Sequence, residues 1–185
     1  TVLDKLELDA PTTWQDIIEM APKLEAEGRE IAKAKVLAAN PGKTEAQLSA
    51  EITAAQALVV PASYDSTGNA FITFTRQFGG AYTSLNFSTF EGEFLWNSDD
   101  NTFAAMQFLK NNKDVITLPE FWDQDYASTP FVNQQTFITI GSSAGIRYNV
   151  PSGNAFELGV APVPYNEDMP DEKAVIQQGT NISLM

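Results

Sequence analysis

The sequence predicts an α/β fold in which helices pack around a small mixed sheet. Three observations carry that expectation. Stretches with apolar residues at helical spacing alternate with short apolar runs closed by Pro or Gly, as at Val115–Leu118 before Pro119 and Thr136–Ile140 before Gly141. Hydrophobic residues make up 43 % of the 185, enough for one self-contained core. There is no internal repeat or low-complexity tract that would point to a solenoid or a disordered segment.

The elements follow in order. Thr12 and Thr13 offer caps, and Asp16 completes a capping-box variant with Thr13. Trp14, Ile17, Ile18, Ala21 and Leu24 then make one apolar helix face, with Trp14 as its core anchor. Gly28 either ends this helix or interrupts it. Helix formers continue from Arg29 to Leu37, and Asn40-Pro41-Gly42 breaks them. Thr44, with Gln47 three residues on, starts a second helix that reaches about Val59 before Pro61. Residues 29–58 thus read as an alanine-rich helical hairpin.

Tyr64 to Asn69 is a polar loop. Ala70 to Phe78 fits a strand or a helix, and Gly79-Gly80 ends it. Tyr82 to Phe94 reads as irregular pieces or a small hairpin centred on Glu91-Gly92-Glu93. One of Asp99, Asp100 and Asn101 caps a helix to about Asn111, with Phe103, Met106, Phe108 and Leu109 as core. Val115 to Leu118 leads into Pro119, and 125–130 is a loop. Thr136 to Ile140 is the strongest strand signal. A short strand is expected over 156–162, an acidic loop over 166–173, and two short strands around Gly179.

Composition narrows function. The net charge of -13 repels nucleic-acid phosphates and anionic lipid. Without Cys or His there is no disulfide, no thiolate nucleophile, no Ser-His-Asp triad and no usual zinc ligand set. The phosphate-loop pattern G-x-x-x-x-G-K-[S/T] is absent. No cofactor and no metal are expected, and the chain is read as a non-enzyme. No run of 18 apolar residues suggests a transmembrane helix. Thr1 opens on sequence that already reads as folded, and 181–185 reads as a strand cut short. The expectation is therefore a piece of a longer protein.

Phe131 to Gly145, FVNQQTFITIGSSAG, is the most informative stretch. Its strand ends where Gly141, Ser142 and Ser143 leave amides and hydroxyls free for a polar ligand. Nothing nearby activates a nucleophile. Read with Leu3–Trp14, Phe78-Gly79-Gly80, the Asn97–Leu109 helix, Val160–Pro164 and 179–185, it resembles the family 1 extracellular solute-binding proteins of ABC importers. That class includes maltose- and glycerol-3-phosphate-binding proteins. The resemblance covers nearly all of the chain except about 29–58 and rests on the order of weak motifs. Gln134-Gln135 stands where the family often has Gly-Lys, and Ser143 where many sugar binders carry an aromatic residue.

The resemblance implies a periplasmic-binding-protein-like type II lobe spanning 1–185, with 29–58 as an inserted hairpin. It implies capture of a sugar or related polar solute against a missing first lobe, and delivery to an ABC permease. The full protein would be extracellular, lipid-anchored at a bacterial surface or periplasmic. The solute would be an oligosaccharide, a monosaccharide or a glycerol-3-phosphate-like polyol. Candidate ligand contacts are Gly141, Ser142, Ser143, Gly79, Gly80, Tyr64 and Asp65. Arg76 and Arg147 would suit a phosphate or carboxylate bidentately, the plainer alternative being a surface salt bridge for each. Either Trp122 or Trp96 would line a sugar cleft. Two other readings stand beside this one: a structural or protein-interaction domain without a small-molecule site, and a carbohydrate-active enzyme using a carboxylate pair.

Overall fold

Thr13 and Asp16 cap each other, and the longest helix starts from that reciprocal pair. The computed structural model describes residues 1–177. A short helix α1 (Val2–Lys5) precedes α2 (Trp14–Ala39). Thr13 Oγ1 accepts the Asp16 amide at 3.0 Å, while Asp16 Oδ2 accepts the amides of Thr12 and Thr13 at 2.8 Å each. Burial alone would raise the Asp16 carboxyl, but the Thr12 and Thr13 amides and hydroxyls outweigh it and hold it below its usual range.

The helix neither ends nor breaks at Gly28. The glycine is there for close approach: a Cβ at this position would lie 2.5 Å from Val59 Cγ1 and 2.7 Å from Phe137 Cε2. α2 also runs through Pro22, at the loss of one intrahelical amide donor. After the break at Asn40, Thr44 and Gln47 bond reciprocally, the Thr44 amide reaching Gln47 Oε1 at 2.8 Å. A tight turn then leads into α3 (Ser49–Gln56), which folds back on α2. Leu48 and Ile52 are buried there, and Lys33 pairs with Glu45 at 2.8 Å.

β1 (Ala62–Tyr64) is the centre of a three-stranded sheet. It is followed by α4 (Thr67–Gln77), the strands β2 (Thr83–Asn86) and β3 (Glu91–Phe94), and α5 (Asp100–Asn111). β4 (Ile116–Thr117), α6 (Ser128–Val132) and β5 (Ile138–Ile140) complete the described elements. The sheet order is β4-β1-β5, with Ala62 opposite Ile116 on one side and Ile138 on the other. The architecture is α/β, with helices packed around a small sheet. The sheet is not mixed: its three strands are all parallel, and β2 and β3 form a separate antiparallel pair.

The core joins α2, α4, α5 and the sheet through Trp14, Ile17, Tyr64, Phe74, Ala105 and Ile140. Trp14 and Phe74 stack with centroids 4.4 Å apart. Segment 70–78 resolves as helix because Ser66 caps it and Ala70 and Phe74, four residues apart, both face inward. Asp99 caps α5, its Oδ1 taking the Thr102 amide at 2.6 Å. That phase buries Thr102 and Ala105 and turns Phe103 outward, 69 % exposed, against the expectation that it was core.

Other expectations are also corrected. The hairpin turns at 87–90 rather than at Glu91-Gly92-Glu93, because Asn86 Oδ1 accepts the amides of Ser88 and Thr89 and Phe90 adopts φ 57°. The loop expected over 125–130 contains the start of α6. Residues 156–162 form no strand: two prolines at 162 and 164 remove ladder donors, and pairing is reduced to a bridge between Thr13 and Tyr165. Residues 175–177 are not in a strand, and the rest of the expected pair around Gly179 lies outside the described residues. Among the described residues no helix is long and apolar enough to cross a membrane.

A buried glutamine holds the strandless C-terminal segment against this core. Gln77 Oε1 accepts the Trp14 indole N–H at 2.6 Å, and its Nε2 donates to the carbonyls of Pro164 and Ala174 at 2.9 Å each.

Two substitutions test this packing. Gly28→Ala gains about 1 kcal/mol of helix propensity but overpacks Val59 and Phe137, which costs about 1–3 kcal/mol, so urea denaturation should show a net loss. Gln77→Ala should cost about 3 kcal/mol, because it strands the indole donor and two carbonyls, and limited proteolysis should then cut first within 164–177.

Candidate functional site

The carboxyl ends of β1 and β4 meet the N-terminus of α4 around an open depression of about 430 Å³. From the central strand β1, one crossover leads to β4 on one side and the next leads to β5 on the other. Open parallel sheets leave a crevice beyond the strand carboxyl ends at such a reversal, here between β1 and β5; the depression lies on the other side of β1, toward β4.

Asp65, Thr67, Glu120, Asp125 and Tyr126 bring polar side chains to this depression. Asp65 directly follows β1. Its amide donates to the Ile140 carbonyl at 2.7 Å, and its Oδ1 accepts the Ala127 amide at 2.6 Å. Burial raises its pKa above the usual aspartate value, and the Ala127 hydrogen bond only partly opposes the shift. Ser66 caps α4, so the first amides of that helix, which have no partner within it, open at Thr67 and Gly68. Thr67 Oγ1 donates to Glu120 Oε1 at 2.7 Å and ties the start of α4 to the turn after β4. Pro119 and a left-handed Asp123, φ 55°, shape that turn. Tyr126, 65 % exposed, stands at the rim.

Of the residues the sequence singled out, the structure brings Asp65 and Gly141 together. A Cβ on Gly141 would lie 3.0 Å from Asp65 Cβ and 3.2 Å from its Oδ2, so the glycine makes room for the carboxylate. Ser142 and Ser143 follow on the exposed surface, outside the depression. Ser142 Oγ accepts the Ala144 amide at 3.3 Å and starts a tight turn. Tyr64 points the opposite way from Asp65, as alternate strand residues do. It is buried, with its hydroxyl 2.8 Å from Thr73 Oγ1.

Gly79, Gly80 and Arg76 lie at the other end of α4, about 16 Å away for its eleven residues. Gly79 turns the chain at φ 70°, and a Cβ on Gly80 would lie 2.8 Å from the Thr102 amide nitrogen, where α5 begins. Arg76 and Arg147 make no salt bridge among the described residues, against the plainer expectation for both. Arg147 instead covers the Tyr148 ring, 4.7 Å from its centroid. Trp122 is buried behind the depression, donating its indole N–H to the Leu58 carbonyl at 2.8 Å. Trp96 is exposed beside the β2–β3 hairpin.

Sequence reasoning missed Thr67, Glu120, Asp125 and Tyr126. One signal was present: Val115–Leu118 ends at Pro119 as Thr136–Ile140 ends at Gly141, so Glu120 stood at a strand end. Chemically, the depression offers carboxylate acceptors, hydroxyls that donate and accept, and an aromatic plate. No Lys or Arg lines it. Among the described residues, no group of three acidic side chains is placed to hold a metal ion.

The raised Asp65 pKa has a definite linkage sign. The protonated form is favoured by folding, so the contribution is complete below the ordinary value of 3.8 and is lost as pH rises through the folded value. Asp65→Asn keeps the acceptor for Ala127 and removes the charge. Chemical denaturation should therefore show the Asn variant gaining on the parent protein between about pH 3.5 and pH 7. A gap that narrows with rising pH would contradict this account.

Compared with known proteins, the chain matches no family model, no curated protein and no solved structure.

Proposed function

We propose that this chain is one lobe of an extracellular solute receptor that captures a neutral, hydroxyl-rich solute and hands it to an ABC permease. The observation that carries the reading is the depression at the carboxyl ends of β1 and β4, with Asp65, Thr67, Glu120 and Tyr126 around it. Carboxylates accept hydrogen bonds from sugar hydroxyls, and a free tyrosine ring covers the apolar face of a pyranose. A second lobe would supply the facing wall and exclude water on closure.

The lining also separates the solute classes. A phosphorylated polyol would meet three carboxylates, Asp65, Glu120 and Asp125, with no cation among the lining residues. Arg76 and Arg147, the two cations best suited to phosphate, lie outside it. Sugars and uncharged polyols therefore take precedence over glycerol-3-phosphate. The reading as a protein-interaction domain draws on a different feature, the exposed β2–β3 hairpin.

An amide-resolved NMR titration tests the proposal, with maltotriose, xylobiose and glycerol-3-phosphate added separately at millimolar concentration. A neutral sugar should shift the amides of 65–68, Glu120 and Tyr126, and Tyr126→Ala should abolish those shifts. Glycerol-3-phosphate should leave them unmoved. Shifts confined to a different surface would sink the site, and a response to glycerol-3-phosphate alone would reverse the solute class.

A further inference from the structure

The β2–β3 hairpin stands apart from the core, touching the other helices and strands only marginally. Isolated two-stranded hairpins are marginal in water. This one nevertheless exposes large apolar side chains, with Leu85 at 51 % and Phe87, Phe90 and Phe94 near 80 % (79, 79 and 78 %).

Its register sorts the residues by face. Thr83 pairs with Phe94 and Leu85 with Gly92, whereas Ser84 pairs with Glu93 and Asn86 with Glu91. Alternation puts Leu85 and Phe94 on one face and Glu91 and Glu93 on the other. The position of Leu85 Cδ1, 3.9 Å from where a Gly92 Cβ would stand, agrees with that assignment. The sheet has only these two strands, so among the described residues the outer edge of β3 is unpaired. Its outward amides and carbonyls are a template for another strand.

Charge specifies the guest. Between Arg76 and Lys110 there is no Lys or Arg, while Glu91, Glu93, Asp99 and Asp100 are all acidic. We infer that the outer edge of β3 docks an extended segment of another protein whose residues alternate apolar and basic. Its apolar side chains extend the Leu85–Phe94 face, and its Lys or Arg side chains sit across from Glu91 and Glu93 on the other. A second copy of the chain fits poorly, because it brings the same glutamates together and adds another net charge of -13. An anionic lipid surface meets the same repulsion. The inference is independent of the solute reading, since no hairpin residue lines the depression.

The test uses two synthetic peptides, one alternating lysine with valine and one with every lysine replaced by glutamate. Fluorescence anisotropy measures affinity at low salt, and NMR locates the contact. The lysine peptide should bind with shifts centred on residues 91–94, and the glutamate peptide should bind at least about tenfold more weakly. Glu91→Gln with Glu93→Gln should weaken the lysine peptide about tenfold. Leu85→Ser with Phe94→Ser should weaken both peptides, with circular dichroism unchanged for either double variant. Equal affinity for the two peptides, or no binding of the lysine peptide at millimolar concentration, overturns the proposal. So do 91–94 shifts that appear on concentrating the protein alone, which mark a second copy. Shifts produced only by phosphatidylserine-containing vesicles mark a lipid surface and overturn it as well.

Discussion

Gln77 is the constraint on which the assembly of this chain depends. Its amide has one acceptor and two donors in use, and each points to a different part of the fold. Trp14 belongs to the start of α2, Gln77 to the end of α4, and Pro164 and Ala174 to a segment with no strand of its own. Among the described residues, this stretch pairs with the rest of the backbone at the Tyr165 bridge alone, where two hydrogen bonds reach Thr12 and Trp14. Side-chain capture of the Pro164 and Ala174 carbonyls by Gln77 adds to that bridge, in buried surroundings at Pro164 and half-buried ones at Ala174. A buried amide satisfied on both sides is specific in a way apolar contact is not, since any displacement leaves a group unpaired. Trp14, fixed by that bond and by its stack on Phe74, in turn sets the position of α2 against the sheet.

The same logic governs the depression. Asp65 sits where β1 ends, and its carboxylate is oriented by the Ala127 amide on one side and admitted by Gly141 on the other. Three parallel strands converge there, yet their contributions differ. β1 leads to the carboxylate, β4 leads to Glu120, and β5 supplies the Ile140 carbonyl that takes the Asp65 amide, with Gly141 after it leaving room for the side chain. Thr67 joins the first two across 53 residues of sequence. The site is therefore built on element ends, while the far end of α4, with Arg76 and the two glycines, is given over to the junction with α5.

How much of this was legible in the sequence depends on whether the signal was local. The Thr13–Asp16 cap, the Asn40 break and a cap within Asp99–Asn101 were readable, because each is decided within four residues; that Asp99 is the one was not. The strand before Gly141 was readable for the same reason, although its ladder is shorter than the apolar run. Three features were not. Gly28 looks like a helix breaker, and only the passage of Val59 and Phe137 beside it explains a glycine mid-helix. Phe103 looks like core, and its exposure follows from the phase set by Asp99. Gln77 looks like a surface residue beside Arg76, and its partners are 63, 87 and 97 residues away. At the site, Asp65 and Gly141 were both singled out, but their contact was not foreseeable. Glu120 and Tyr126 were passed over because neither belongs to a strand or a glycine motif.

The openness of the depression bears on how a solute would be held. A ligand resting on one wall keeps much of its hydration, and each carboxylate contact merely replaces a hydrogen bond to water. Net gain then comes from the tyrosine face and from whatever order the wall already has. Here that order is considerable: Asp65 is fixed by Ala127, Glu120 by Thr67, and the turn behind Glu120 by the buried Trp122. A prearranged wall limits the entropy lost on binding but does not remove water. Strong retention thus requires a second surface to close over the solute, so that the same hydrogen bonds are made in a drier setting. On the proposed two-lobed reading, the fixed polar wall would supply one half of the site and a facing lobe the enclosure.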